Sequence, residues 1–348
     1  MNALRDDLHE LALEAPSVDL ASRALAGARR RRAVQLAVAV AAAVAVVTGG
    51  TAILVRGPEP SIVITPQVRP LPSSGVGALQ QAFQRQGRWH LVTHDGQSYD
   101  AGGIIKGDGP LAITPDGRRI AYFDEKQRTI VLRDLAGGEV WEAPLRLPAR
   151  TFEAEFALRL SPSGMRMLVA GWGTGRERNV LVDLGDGSVK ELDKAWFPVS
   201  VSDTGEVVLA RPFEDSTRLR VLGHDPITVP DFTYEFSGLA PDGRTIARLG
   251  QTHDPGRTPQ MEHDGTIVLT DAIAGGDRPK VRISGIPSGL NPARLGAWLS
   301  ADEVTLLAVP SDRGQTSTVY AVNVRTGQAR EFFVTEDAPK NIVPGLVS

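Results

Sequence analysis

Short apolar runs, alternating with polar residues, follow one recurring kind of turn along most of this chain. The turn reads Thr114-Pro115-Asp116-Gly117, Ser161-Pro162-Ser163-Gly164, Ser202-Asp203-Thr204-Gly205 and Ala240-Pro241-Asp242-Gly243, and in degraded form Ser300-Ala301-Asp302-Glu303. Proline presets φ at the second turn position, Asp or Ser bonds the local backbone, and Gly takes the left-handed position that closes a hairpin. Alternating apolar residues come next: Ile120/Tyr122, Met167/Val169, Val207/Leu209, Ile246 with Leu249, and Val304/Leu306. These predict strands of about five residues. A second hairpin then follows each time, as in "TIVLRDLAGGEVWEA" (129–143), "NVLVDLGDGSVKEL" (179–192), "LRVLGHDPITVP" (219–230), "TIVLTDAIAGGDRPKVRI" (266–283) and "TVYAVNVRTGQAREF" (318–332). One more copy, "WHLVTHDGQSYDAG" at 89–102, stands in front without a clear first hairpin.

Four short strands per unit, repeated, predict an all-β chain built as a β-propeller of four-stranded blades. A lone blade cannot bury both its faces. Stacking blades around an axis does so, and closing the ring protects the last edges. Six outer hairpins and five inner ones predict six blades, or seven if both ends hide a further degenerate copy. The incomplete first blade is to be finished by the C-terminal "NIVPGLVS" or by residues 76–88.

The Ser/Thr-Pro-Asp-Gly turns and the outer hairpins of the "I-x-D-L-x-x-G" kind resemble the WD40-like, TolB-type propeller repeats, over about 85–335. The resemblance implies the propeller fold and little about activity, because propellers host many unrelated functions. Ser202–Gly205 departs from the pattern by lacking Pro, and Ser300–Glu303 by lacking both Pro and Gly.

The first sixty residues are of another kind. Residues 33–55, "AVQLAVAVAAAVAVVTGGTAILV", carry no charge and lie between Arg32 and Arg56. At about 1.5 Å per residue such a helix spans roughly 34 Å, enough for a hydrocarbon core of about 30 Å. Arg29–Arg32 precede it, and cationic flanks stay on the cytoplasmic side. The run is longer than a signal-peptide core and no good cleavage site follows it, so an uncleaved anchor is expected. The chain is thus read as a plasma-membrane, single-pass protein: a cytoplasmic tail (1–32), a transmembrane helix (33–55), a Pro-rich linker (56–77) and an extracytoplasmic propeller (78–348). In the tail Leu4, Leu8 and Leu11 share a helical face, and Ser17 can cap a second short helix after Pro16. That tail is a candidate docking segment for a cytoplasmic partner. A tail ending "APSVDLASRALAGARRRR" before an Ala/Val span resembles membrane-anchored propeller proteins typical of actinobacteria.

Composition narrows the chemistry. The chain has no cysteine, which excludes disulfides, thiolate metal sites and cysteine nucleophiles. A net charge of −3 argues against a nucleic-acid binder. Four of the six histidines precede Asp (His94, His224, His253 and His263), a pattern that turn chemistry explains. "DLGDGSVKELD" (183–193) misses the acid spacing of a calcium loop, and no G-x-S-x-G elbow or Walker phosphate loop is present. No catalytic residue, metal ligand or cofactor is assigned.

In a propeller the links between second and third strands gather on one face around the channel. Here they are 124–128, 171–178, 211–217, 250–264 and 310–317, longer and more varied than the turns opposite. They supply the ligand-binding candidates Trp172, Arg176, Arg178, Arg211, His253, Arg257, His263 and Arg313. Their charges are interleaved with Glu177, Glu214, Asp215 and Asp312, which suits a protein, peptide or glycan ligand. The sequence therefore leads to a non-catalytic binding or scaffolding module. Two alternatives stand beside it: a propeller hydrolase or lyase with its site at the channel mouth, and a transmembrane regulator coupling external binding to a cytoplasmic partner.

Overall fold

The computed structural model describes residues 68–345, except 74, 108, 174–176, 234, 252–262, 312–315 and 337–339. The tail, the apolar span 33–55 and the linker up to residue 67 lie outside the described residues. Among the described residues no helix is long and apolar enough to cross a membrane.

Among the described residues twenty-five strands form six sheets, and each sheet is a blade. Blade I opens with β1 (Arg69–Pro70), β2 (Leu79–Arg85), β3 (Arg88–Thr93) and β4 (Ser98–Asp100). Blade II holds β5 (Leu111–Ile113), β6 (Arg119–Asp124), β7 (Thr129–Asp134) and β8 (Val140–Glu142). Blade III holds β9 (Glu155–Leu160), β10 (Arg166–Trp172), β11 (Arg178–Asp183) and β12 (Ser188–Glu191). Blade IV holds β13 (Phe197–Val201), β14 (Val207–Pro212), β15 (Thr217–Val221) and β16 (Ile227–Val229). Blade V holds β17 (Phe236–Leu239), β18 (Thr245–Gln251), β19 (His263–Asp271) and β20 (Val281–Arg282). Blade VI holds β21 (Leu290–Trp298), β22 (Glu303–Pro310), β23 (Thr318–Asn323) and β24 (Ala329–Val334). The last strand, β25 (Asn341–Ile342), returns to blade I and pairs with β2, Ala82 opposite Ile342.

Both expected sources therefore complete the first blade: residues 79–85 give its second strand and the C-terminal segment its innermost one. At the rim of the same blade β1 pairs in parallel with β4. Val76 also donates to the Leu135 carbonyl of blade II (2.6 Å). The end of the Pro-rich stretch thus lies along the propeller. It adds a fifth strand to blade I.

Antiparallel alternation sorts the connections onto two faces. The first-to-second and third-to-fourth strand turns share one, called here the turn face. The second-to-third links and the blade-to-blade connections share the other, the long-loop face. On the turn face each Ser/Thr-Pro-Asp-Gly unit closes as its composition predicts. Gly117 donates to the Thr114 carbonyl (2.8 Å), and Thr114 accepts from the Arg119 amide on its side-chain oxygen (3.0 Å). Gly117 sits at φ +70°, where an L side chain is strained. Ser202–Gly205, without proline, still closes, with Ser202 bonded to Glu206 through its backbone (2.9 Å).

Apolar residues of neighbouring blades interlock to form the seams of the ring. The seam between blades II and III is the most extensive, around Leu132, Leu147, Met167 and Val180. The seam closing blade VI on blade I is the thinnest, with Val319, Phe333 and Val343 buried against Leu307. A repeated polar device ties three of the blades to their outgoing connections. The first or second residue of the third strand of blades II, III and IV is Thr129, Asn179 or Thr217, each fully buried. Each donates to a carbonyl of the outgoing connection: Ala143 (2.8 Å), Trp196 (2.8 Å) and Thr233 (2.7 Å). A buried donor left unmet is costly, so these bonds fix the connections on the long-loop face.

Candidate functional site

Between blades V and VI the long-loop face opens into a cleft of about 1050 Å³. One wall is the run Ile286–Ala293, rich in Pro, Gly and Ser, which leads into β21. Leu307 and Val309 of β22 give the cleft an apolar patch, while Glu235, His263, Asp264, Arg282 and Arg294 supply charge. Glu235 is bracketed: its carboxylate lies 3.5 Å from Arg294 Nε and 3.6 Å from His263 Nε2. All three approach from different elements. Glu235 ends the connection from blade IV, His263 opens β19 and Arg294 lies within β21. His263 Nδ1 and Asn341 Oδ1, both on residues lining the cleft, are buried without a hydrogen-bond partner.

Asp264 bonds Lys280 (2.7 Å) and the Thr266 amide (2.9 Å). Burial pushes its carboxyl upward, but the Lys280 ammonium and the Thr266 donors outweigh it and leave the pKa below the usual range. Nearer the axis Arg159, on β9, is nearly buried, with its guanidinium 5.8 Å from the centre of the Phe197 ring. Burial, then the field of Arg294, bring its pKa down to about 9. Phe197 in turn stacks on Trp172, centroids 5.0 Å apart and planes 11° off parallel. Trp172 Nε1 also donates to the Lys194 carbonyl (3.2 Å).

Of the sequence candidates, Arg176, His253, Arg257 and Arg313 lie outside the described residues. Trp172 stands at the long-loop end of β10, within the aromatic stack. His263 lines the cleft. It does not sit in a turn, the place its His-Asp-Gly context suggests. The β18–β19 ladder resumes beyond a bulge to pair Gln251 with His263, and Gly265, at φ +73°, takes the distortion. Arg178 pairs with Glu191 (2.8 Å) on the outer strands of blade III. Arg211 lies exposed, 5.4 Å from the ring of Phe213. The structure thus draws His263 into a cluster and leaves Arg178 and Arg211 outside it.

Glu235, Arg294, Phe197 and Arg159 were not among the candidates. Only Arg159 had a local signal, as a cation between two leucines in an otherwise apolar first strand, "FALRLSPSG". Glu235 and Arg294 are 59 residues apart (294 − 235) and meet only because adjacent blades stack. Among the described residues no group of three or more His, Asp or Glu converges as a metal set.

The ring geometry has solved counterparts. TolB from Acinetobacter baumannii superposes with a TM-score of 0.50 at 16% identity, over 80% of this chain and 68% of that one. The fold is a TolB-type six-bladed propeller. Weaker similarity extends to a putative TolB from Agrobacterium tumefaciens (TM-score 0.46, 14% identity, 78% and 92% covered). An oligogalacturonate lyase from Vibrio parahaemolyticus gives a TM-score of 0.45 at 13% identity, with 77% and 78% covered. At such identities the likeness concerns the fold alone. No protein-family model matches the sequence, and no curated protein matches it either.

Proposed function

We propose that this protein is a binding or scaffolding module that engages an extended segment of a protein or glycan in the cleft between blades V and VI. The observation that carries the reading is the cleft itself. Its volume lies just above the range of small-molecule pockets, about 300–1000 Å³. Its walls mix backbone-rich Pro-Gly-Ser chain, an apolar patch and the bracketed Glu235, which suits main-chain hydrogen bonding plus a few side-chain anchors. The two unmet polar atoms beside it are consistent with a ligand, since each such group calls for an explanation.

The charge-free run 33–55 and Arg29–Arg32 support a membrane anchor with the propeller outside the cytoplasm, as in the actinobacterial proteins that the tail resembles. The test places a photo-reactive amino acid in the full chain in intact cells, at Ser288 or Asn291 in the cleft and at Gly137 or Thr326 on the turn face. Discrete adducts at the first two positions and none at the second two are expected. Equal labelling at all four, or none, would remove the reading. Protease added to protoplasts should degrade the propeller; its survival would place it inside.

A further inference from the structure

The turn face carries a second cavity, separate from the cleft. It lies on the ring axis, holds about 400 Å³, and is walled by first strands and their turns from successive blades. Its interior is made by Ile113, Leu158, Leu160, Val201, Leu239 and Trp298, contributed by blades II to VI. Interiors packed to the usual density leave few voids larger than one water, so a space of this size is a feature of the ring and no packing fault.

Most polar groups around it are already committed, while the hydroxyl of the lining residue Ser200 is buried without a hydrogen-bond partner. Trp298 Nε1 donates to the Gly238 carbonyl (2.8 Å) and also reaches Ser237 Oγ (3.2 Å). Asp203 accepts from the amide (2.9 Å) and hydroxyl (2.6 Å) of Ser163. Glu206 accepts from the hydroxyls of Ser202 and Thr204. Arg159 lines the cavity, but its guanidinium is stacked at the Phe197 ring.

We propose that this axial cavity is a binding site for an uncharged, largely apolar small molecule of two to three fused or linked rings, or of like bulk, with one polar group that can meet the Ser200 hydroxyl. Size sets the bulk, since a cavity of about 150 Å³ suffices for benzene. The lining sets the polarity: a charge of either sign would meet a like charge, Arg159 or the carboxylates of Asp203 and Glu206, and lose its hydration, whereas water would find in Ser200 fewer than the two to four partners it needs. The mouth opens between the turns, so a ligand enters without displacing a strand.

The absence of cysteine makes a clean test. In the full chain the single-thiol variants Leu239→Cys and Leu160→Cys report from the cavity, and Val189→Cys reports from an exposed strand of blade III. Alkylation by iodoacetamide is timed by intact-mass measurement with and without N-phenyl-1-naphthylamine. At ten times its dissociation constant the probe should slow the cavity thiols about tenfold and leave Val189→Cys unchanged. Adding Leu160→Trp to Leu239→Cys takes up part of the space and should weaken the protection several-fold, with the β-sheet circular dichroism retained. Two reporters guard against one misfolding. Equal rates with and without probe at both cavity positions, or protection left undiminished by the bulky substitution, would overturn the proposal.

Discussion

The two faces of the ring are built on opposite rules. On the turn face the same bonds recur from blade to blade. Arg119 pairs with Asp134 (3.3 Å), Arg166 with Asp183 (2.6 Å) and Arg244 with Asp271, always from the start of the second strand to the end of the third. The turns also reach sideways: Arg119 donates to the Ser163 carbonyl of the next blade, and Arg166 to that of Asp203. Among the described residues of the long-loop face the buried anchors recur, while the residues above them differ from blade to blade. Repetition marks the side that holds the ring together, and variety marks the side left free to recognise something.

Substitutions can break that contrast, and the largest effect is expected where the long-loop side is itself structural. Arg248 of β18 is almost wholly buried and pairs with Asp231, in the connection from blade IV, and with Asp277 (2.6 Å). Arg248→Ala leaves the nearly buried Asp231 carboxylate without its cation, with the half-buried Asp277 beside it, and should cost about 3–5 kcal/mol, read as a lowered urea midpoint. A loss below about 1 kcal/mol would show that water reaches the pair and that the anchor is not buried in solution.

Next in size comes a turn-face glycine. A Cβ at Gly117 would strike the Leu79 carbonyl oxygen and approach its nitrogen to 2.9 Å, at a position already held at φ +70°. Leu79 belongs to blade I and bonds the Gly117 carbonyl (2.8 Å), so Gly117→Ala strains the seam between two blades. About 1–3 kcal/mol is expected to be lost. Gly187→Ala, on the same face and at φ +73° but with open space around it, should cost less. Similar losses would assign the effect to backbone strain alone and remove the inter-blade contact from the account.

Acid should separate the faces more gently. The Ser202 and Thr204 hydroxyls hold Glu206 below the ordinary carboxylate range, and Arg166 does so for Asp183. A carboxyl with a depressed folded pKa adds stability that is present above its unfolded value, near 4, and is lost as pH falls through the folded value. Asp231 has the opposite sign. Burial raises it against the pull of Arg248, so its contribution grows as pH falls through that raised value. Urea midpoints should therefore drop below about pH 4, and the drop should be shallower in Asp183→Asn/Glu206→Gln. An unchanged slope in the double variant would move the acid sensitivity elsewhere.

The turn face was legible because its information is local. Four residues specify a turn, and alternation after Gly117 or Gly164 specifies the strand that follows. The blade count followed from the hairpins, and the completion of blade I from an unpaired copy at 89–102. The cleft was not legible in the same way. Glu235 and Arg294 have no common motif, and their contact depends on how blades V and VI stack. His263 was found for its loop, and its place in β19 depends on a bulge that pairing with β18 imposes. The Arg119–Asp134 type of pair was also missed, although the register of a hairpin brings those two positions opposite each other.

Trp172 offers the smallest stability effect and the sharpest test of the contrast. It is half-buried, stacks on Phe197 and sits on the face where variety rules. An aromatic pair of this kind contributes about 0.5–1.5 kcal/mol beyond its buried area, so Trp172→Ala should lower the urea midpoint only slightly. Trp172→Phe, which keeps a ring over Phe197, should lower it less. Because Phe197 also carries the Arg159 guanidinium, and Arg159 feels Arg294 at the cleft, the alanine variant should weaken adduct formation from Ser288 and Asn291 more than it weakens the fold. A loss of stability above about 3 kcal/mol, the scale of a truncated core aromatic, would instead make Trp172 part of the scaffold. Long, varied loops would then have misled, and the division between a structural face and a recognition face would have to be redrawn inside blade III.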